Sequence, residues 1–266
     1  MLEDALAFTQ RSVCQAKPLQ CSLRRLDSNR VVLGSDAMAQ ITAWLVALMV
    51  LLSPPDKGAA AGRFVPDAVE TTEQRLERYE GIAAAVAAVA FDPEEKPLFG
   101  GKSGRHATAT LLLGLSWMES GWRRDVDLGQ GKLARGSGMD SCLMQIRLGK
   151  NETTAEGWTW QDLVGDREKC FRAGLRIARR SFSACRSLPV EHRLSAYATG
   201  SCSFPMTDGV VRSTPVGHVK SAARIAVARR LLSRLALPET PQPAAQGSIV
   251  PATPAEATGW VVRAAP

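Results

Sequence analysis

The 266-residue sequence predicts a mainly α fold, and three observations carry that expectation. Alanine and arginine, both good helix formers, are abundant. No valine- or threonine-rich run alternates polar and apolar residues as a half-buried strand would. Apolar residues instead recur at three- and four-residue spacing over several segments of helix length. At 45% apolar residues, the chain suffices for one sizeable core with long terminal extras.

Residues 1–61 read as an upstream extension and a signal peptide, with Met38 as the true start. The apolar run 41–52 is short for a membrane span and suits a signal core; Pro54, Pro55 and the small residues Ala59, Ala60 and Ala61 come after it. A buried helix, or an uncleaved anchor as the chain's one tie to a membrane, is the alternative for this segment. Residues 62–104 should supply an N-terminal helix, over 67–90, and a loop. Thr71 or Thr72 can cap the helix, and Leu76, Tyr79, Ile82, Ala83, Val86 and Val89 lie on one face.

A core spans 105–235. Its first helix, 105–120, is apolar from Ala107 to Met118 and should be buried on most sides. The glycine-rich stretch 121–141 reads as a long loop, a kind that carries function inside compact domains. Residues 143–148 are short and apolar, and 150–165 form a polar loop around Trp158 and Trp160. Asp166 should cap a helix over 166–184, with Phe171, Leu175, Ile177 and Ala178 inward. Pro189 opens a short helix ending near Gly200, and a basic helix spans 215–235 with a solvated arginine face. The Ala/Pro/Thr-rich residues 236–266 read as a disordered tail.

The formal charge of +7, almost all of it beyond residue 61, favours an anionic polymer as partner. No compact Lys/Arg run interleaves with aromatics, so nucleic acid is not the expected partner. Cys14 and Cys21 fall in the extension. Cys142, Cys170, Cys185 and Cys202 lack metal-ligand spacing and are disulfide candidates, which implies export to the periplasm or cell envelope. His106, His192 and His218 are scattered and read as structural or solvated; no metal site is expected.

Glu119 closes the apolar helix between Trp117 and Trp122. A carboxyl desolvated there would have a raised pKa, as a general acid needs. Read locally, a solvated helix-end glutamate is the plainer account.

The surroundings change that balance. Glu119-Ser120-Gly121 is followed by Cys142-Leu143-Met144-Gln145-Ile146, then by the helix from Asp166 to Gly174, then by Ala196-Tyr197-Ala198-Thr199-Gly200. In this order and spacing, residues 105–202 resemble the lytic transglycosylases. The resemblance implies a lysozyme-like helical domain with a small strand/loop region lining a cleft. It implies cleavage of peptidoglycan glycan strands by a monomer without a cofactor.

Glycosidic cleavage usually takes two carboxylates. In this family one glutamate, here Glu119, protonates the leaving oxygen and then takes the proton of the sugar's own 6-hydroxyl, which closes a 1,6-anhydro ring. Ser120, Met144, Gln145 and Tyr197 are the implied substrate-binding residues, with closure of the helix end as the alternative for Ser120. The chain departs from the pattern at Cys142, where the family has glycine, and at Ala198 and Thr199, which replace Asn-Ala.

Asp125 and Asp127 are candidates for a second carboxylate that would make the enzyme a hydrolytic lysozyme; as turn caps beside Gly129 and Gly131 they would be structural. Trp158 and Trp160 suit sugar stacking and core cover equally. A non-catalytic wall-binding module is the alternative from another class.

For the cysteines, Cys170 and Cys185 on one helix would lie about 22 Å apart, beyond the ~4.4–6.8 Å a disulfide spans. The expected pair is Cys170–Cys202, with Cys142–Cys202 second.

Overall fold

The computed structural model describes residues 32–55, 70–130, 139–202 and 216–239. Two compact units divide the chain, 1–33 and 34–266, and the described residues belong to the second, apart from the first two of one helix. Cys14, Cys21, the proposed cleavage region 59–61 and most of the expected tail lie outside the described residues.

The described residues are mainly helical, as predicted, with eight α-helices and one two-stranded sheet. The helices are α1 (Val32–Leu52), α2 (Thr72–Phe91), α3 (Gly104–Ser120), α4 (Arg124–Asp127), α5 (Trp160–Gly165), α6 (Arg167–Ala184), α7 (Ser195–Thr199) and α8 (Val216–Leu232). A 3-10 turn, Val190–His192, precedes α7. Strands β1 (Asp140–Ser141) and β2 (Ile146–Arg147) form an antiparallel hairpin between α4 and α5, pairing Asp140 with Arg147 and Ser141 with Ile146.

Local signals explain the helix starts. Thr71 caps α2 in a reciprocal box with Gln74. The Asp166 side chain accepts from the Lys169 N–H at the head of α6. Helix α5 falls where a loop was expected, and its own box, Thr159 with Asp162, is the local signal that marks it. Likewise α4 and β1 occupy parts of the expected 121–141 loop.

Helix α3 is the central element, with every residue from Thr108 to Ser116 buried. Helix α8 lies along it at Gly114, where an added Cβ would stand 3.2 Å from a Val227 methyl carbon, a tight contact for which that side chain would have to give by a few tenths of an ångström. Residues 41–52 lie in helix α1, in which Ile41, Leu45, Leu48 and Met49 are fully buried. The Trp44 ring meets His106 edge-on at 5.6 Å, and the Tyr79 hydroxyl donates to the Ser53 carbonyl at 3.1 Å. No described helix is long and apolar enough to cross a membrane. His106 is structural, as expected: burial holds its pKa below the usual histidine value, and Nε2 donates to the Pro238 carbonyl at 2.9 Å.

One buried polar cluster fastens α2 and its following turn to α6. The Glu95 carboxylate, 8% exposed, accepts from Arg172 and Arg176 at 3.2 Å and from Arg179 at 3.3 Å. Burial alone would raise the Glu95 pKa, but the hydrogen bonds from Arg176, Arg172 and Arg179 outweigh it and hold the carboxyl below its usual value.

The cysteine expectation is corrected. The disulfides are Cys142–Cys170, with Cα atoms 6.1 Å apart, and Cys185–Cys202, at 5.3 Å. Cys170 is in the first turn of α6 and Cys185 is its C-cap, so α6 does separate them. The error lies in how far the chain returns. Between Ala184 and Cys202 run only turns, a 3-10 turn and the five-residue α7. That path is spent on turns and on a short helix that rises only about 1.5 Å per residue, so it does not run back to the head of α6, and Cys202 stays beside Cys185. The hairpin covers the head of α6 instead, and Cys142 takes Cys170. Both disulfides are compatible with an exported protein.

Candidate active site

The end of α3 is held by its own small polar residues. The Ser120 hydroxyl donates to the Ser116 carbonyl at 2.7 Å and accepts from the Trp122 N–H at 3.2 Å. The Trp122 indole donates to Ser116 Oγ at 2.8 Å and lies edge-on to Tyr79 at 5.5 Å. Ser120 is 1% exposed. This corrects its expected substrate-binding role: it closes the helix end. Trp122 likewise belongs to the core rather than to a wall around Glu119.

Glu119 projects toward α8, its side chain 19% exposed. Arg224 Nε donates to Glu119 Oε1 at 3.0 Å, and Nη2 donates to the same oxygen. Nη1 is anchored on the Lys220 carbonyl at 3.0 Å. Among the described residues Oε2 has no hydrogen-bond partner. So the carboxylate is paired with a buried guanidinium instead of standing among indoles. Arg224 is the site residue that sequence reasoning missed. Gly217, Ser221, Arg224, Ile225, Ala228 and Leu231 form the buried stripe of α8. An arginine in the apolar register of a helix needs a carboxylate opposite, and that signal was legible.

Tyr197 sits on α7, its N–H bonded to Ser181 Oγ at 3.0 Å. Its hydroxyl donates to the Met144 carbonyl at 2.9 Å. Burial, and next the nearby Glu119 carboxylate, push its pKa above the usual phenol value, and Arg224 opposes them. Tyr197 therefore remains a protonated donor beside Glu119 at any ordinary pH.

The segment after β1 is a tight turn. Cys142 and Gln145 both adopt the left-handed region, at φ +57° and +48°. Each such residue costs about 1–2 kcal/mol without glycine. A glycine at the Cys142 position would not bear that cost. Here the disulfide to Cys170 and two bonds to the Cys142 carbonyl, from the Gln145 N–H and its amide, both at 3.0 Å, hold the turn.

Met144 is fully buried and packs on α6 at Gly174, where an added Cβ would lie 2.4 Å from Met144 Cε. Its expected place as cleft lining is thus corrected: the side chain is core, and only its carbonyl serves the site. Gln145 is partly exposed and remains available to a ligand.

The second-carboxylate candidates are both engaged by arginines. Asp127 is buried and takes two bonds from Arg167, at 2.8 and 2.6 Å, joining α4 to α6. Asp125 pairs with Arg123 and accepts the Val126 N–H at 2.9 Å. Neither is a simple turn cap. Trp158 and Trp160 both pack against the core, and Arg176 lies 5.9 Å over the Trp158 ring. Among the described residues no three His, Cys, Asp or Glu side chains cluster as metal ligands.

A cleft of about 400 Å³ opens between the hairpin and α6. Ile146, Arg147, Thr154, Ile177, Arg180 and Tyr197 are among its lining, and Glu119 is not. Tyr197 is the residue common to the cleft and the Glu119 site.

Comparison with family models, with characterised proteins and with solved structures finds no match to this chain.

Proposed function

We propose that this protein cleaves peptidoglycan glycan strands in the manner of a lytic transglycosylase, with Glu119 as its single acid/base. One observation carries the reading: Tyr197, 78 residues from Glu119 in the chain, lies within the field of the Glu119 carboxylate, and its hydroxyl is fastened to the turn that presents Gln145. Sequence elements spread from 119 to 200 thereby serve one place.

The geometry suggests how one carboxyl suffices. Oε2 carries the proton to the leaving glycosidic oxygen as the bond to the anomeric carbon breaks. The charge left on the carboxylate is met by Arg224 at Oε1. A donor that gains strength as charge develops favours the transition state over the ground state. The substrate's N-acetyl oxygen stabilises the cationic carbon. Its 6-hydroxyl oxygen then attacks that carbon while the carboxylate takes the hydroxyl proton, which closes the ring and restores the acid. No water enters. With Asp125 and Asp127 engaged by arginines, ring closure is favoured over hydrolysis. Two disulfides suit the export that such a substrate requires.

A second reading has a specific observation behind it. A carboxylate neutralised by a buried arginine also suits a wall-binding module without chemistry. Digestion of purified wall, with mass spectrometry of the products, decides among the three outcomes. Ends lighter by one water indicate ring closure, hydrolysed ends indicate a lysozyme, and intact strands leave the binding module. Glu119→Gln should lower cleavage by ~10²–10⁴-fold while the fold persists, because an amide cannot give and recover a proton.

A further inference from the structure

We infer that the cleft between the hairpin and α6 is a carboxylate-binding site, and that it takes the peptide stem attached to the glycan; the identity of that ligand rests on the function proposed above. Most arginines of α6 already have carboxylate partners. Arg167 pairs with Asp127 at 2.6 Å. Arg172 pairs with Asp92 at 2.6 Å and with Glu95. Arg176 pairs with Glu156 at 2.5 Å and with Glu95. Arg179 pairs with Glu95. Arg180, one position further round the helix, faces the cleft and has no carboxylate partner among the described residues. Arg147 faces it from β2, and its guanidinium meets only the Met139 sulfur, at 3.7 Å, among the described residues.

Two guanidiniums thus stand on the two walls of one concavity with no anion between them. The one carboxylate in the lining, Glu156, is engaged by Arg176. A concave, partly apolar site concentrates the field of such charges, and a guanidinium matches a carboxylate with two parallel N–H bonds. The volume is that of a small-ligand pocket. Ile146, Leu148 and Ile177 offer apolar wall between the charges. One end is Tyr197, which is also in the field of Glu119, so a sugar reacting at Glu119 would present its stem beside the cleft mouth.

The test is direct binding, by calorimetry, of three soluble fragments to the full chain: a disaccharide bearing a tetrapeptide stem, the same with its stem carboxylates amidated, and the disaccharide stripped to its lactyl carboxylate. The wild type should bind the first about tenfold more tightly than either of the others, two exposed bidentate charge pairs together being worth about that much. Arg147→Gln and Arg180→Gln should each bring that preference close to one without moving the thermal midpoint. Equal binding of the amidated fragment, equal binding of the stripped fragment, or an undiminished preference in both variants would overturn the inference. Wall digestion run alongside separates the two claims. Strands left intact with the binding preference present defeat the proposed cleavage alone. Cleavage present with no preference defeats the stem site alone.

Discussion

Arg224 sets two N–H donors on a single oxygen of Glu119, Oε1, and so makes the two oxygens of the candidate acid inequivalent. The pair joins the end of α3 to the buried stripe of α8, 105 residues later in the chain. If this arginine meets the charge that forms on the carboxylate, Arg224→Gln should lower kcat by roughly 10–10³-fold with a smaller change in KM, as loss of one charge-stabilising donor does. Arg224→Lys should recover part of it. A lowered thermal midpoint with unchanged kcat would reduce Arg224 to a brace between helices.

Tyr197→Phe keeps the ring and removes the bond to the Met144 carbonyl. We expect a stability loss of about 1 kcal/mol. We also expect a several-fold lower cleavage rate, because the turn that carries Gln145 loses its tie to α7. A full rate at a temperature well below the new midpoint would leave Tyr197 a packing residue only.

The Glu95 cluster predicts acid sensitivity. The folded-state pKa of Glu95 is lowered below its ordinary 4.5, so the unfolded chain takes up the proton first as pH falls. The stability it supplies is complete above that ordinary value and is lost as pH falls below it. Glu95→Gln should cost about 1–3 kcal/mol at neutral pH and flatten the acid side of the profile. Unfolding midpoints over about pH 3 to pH 7 check this, and parallel profiles for the two proteins would contradict it.

Non-reducing peptide mapping should find Cys142–Cys170 and Cys185–Cys202, closing loops of 28 and 17 residues. Each should stabilise the fold by roughly 3–4 kcal/mol in the chain-entropy account. Because Cys142 is left-handed, in a Cys170→Ser background Cys142→Gly should be more stable than Cys142→Ser by about 1 kcal/mol. Equal stability would show that the turn relaxes once the crosslink is gone.

The sequence by itself determined the long core helices and the place of Glu119. Apolar spacing marks α2, α3 and α6, Thr71 and Asp166 announce two helix starts, and Glu119 closes an apolar helix whose surroundings resemble a glycan-cleaving family. These features are written within a few residues of chain, where spacing and capping act. Only the tertiary structure decided what each residue faces. It set Arg224 on Glu119, turned Ser120 and Met144 inward, engaged Asp127 with Arg167, and brought Cys142 rather than Cys202 to Cys170. Those partners depend on where helices distant in sequence cross and on which way the turns of 185–202 lead the chain, and no local pattern records either.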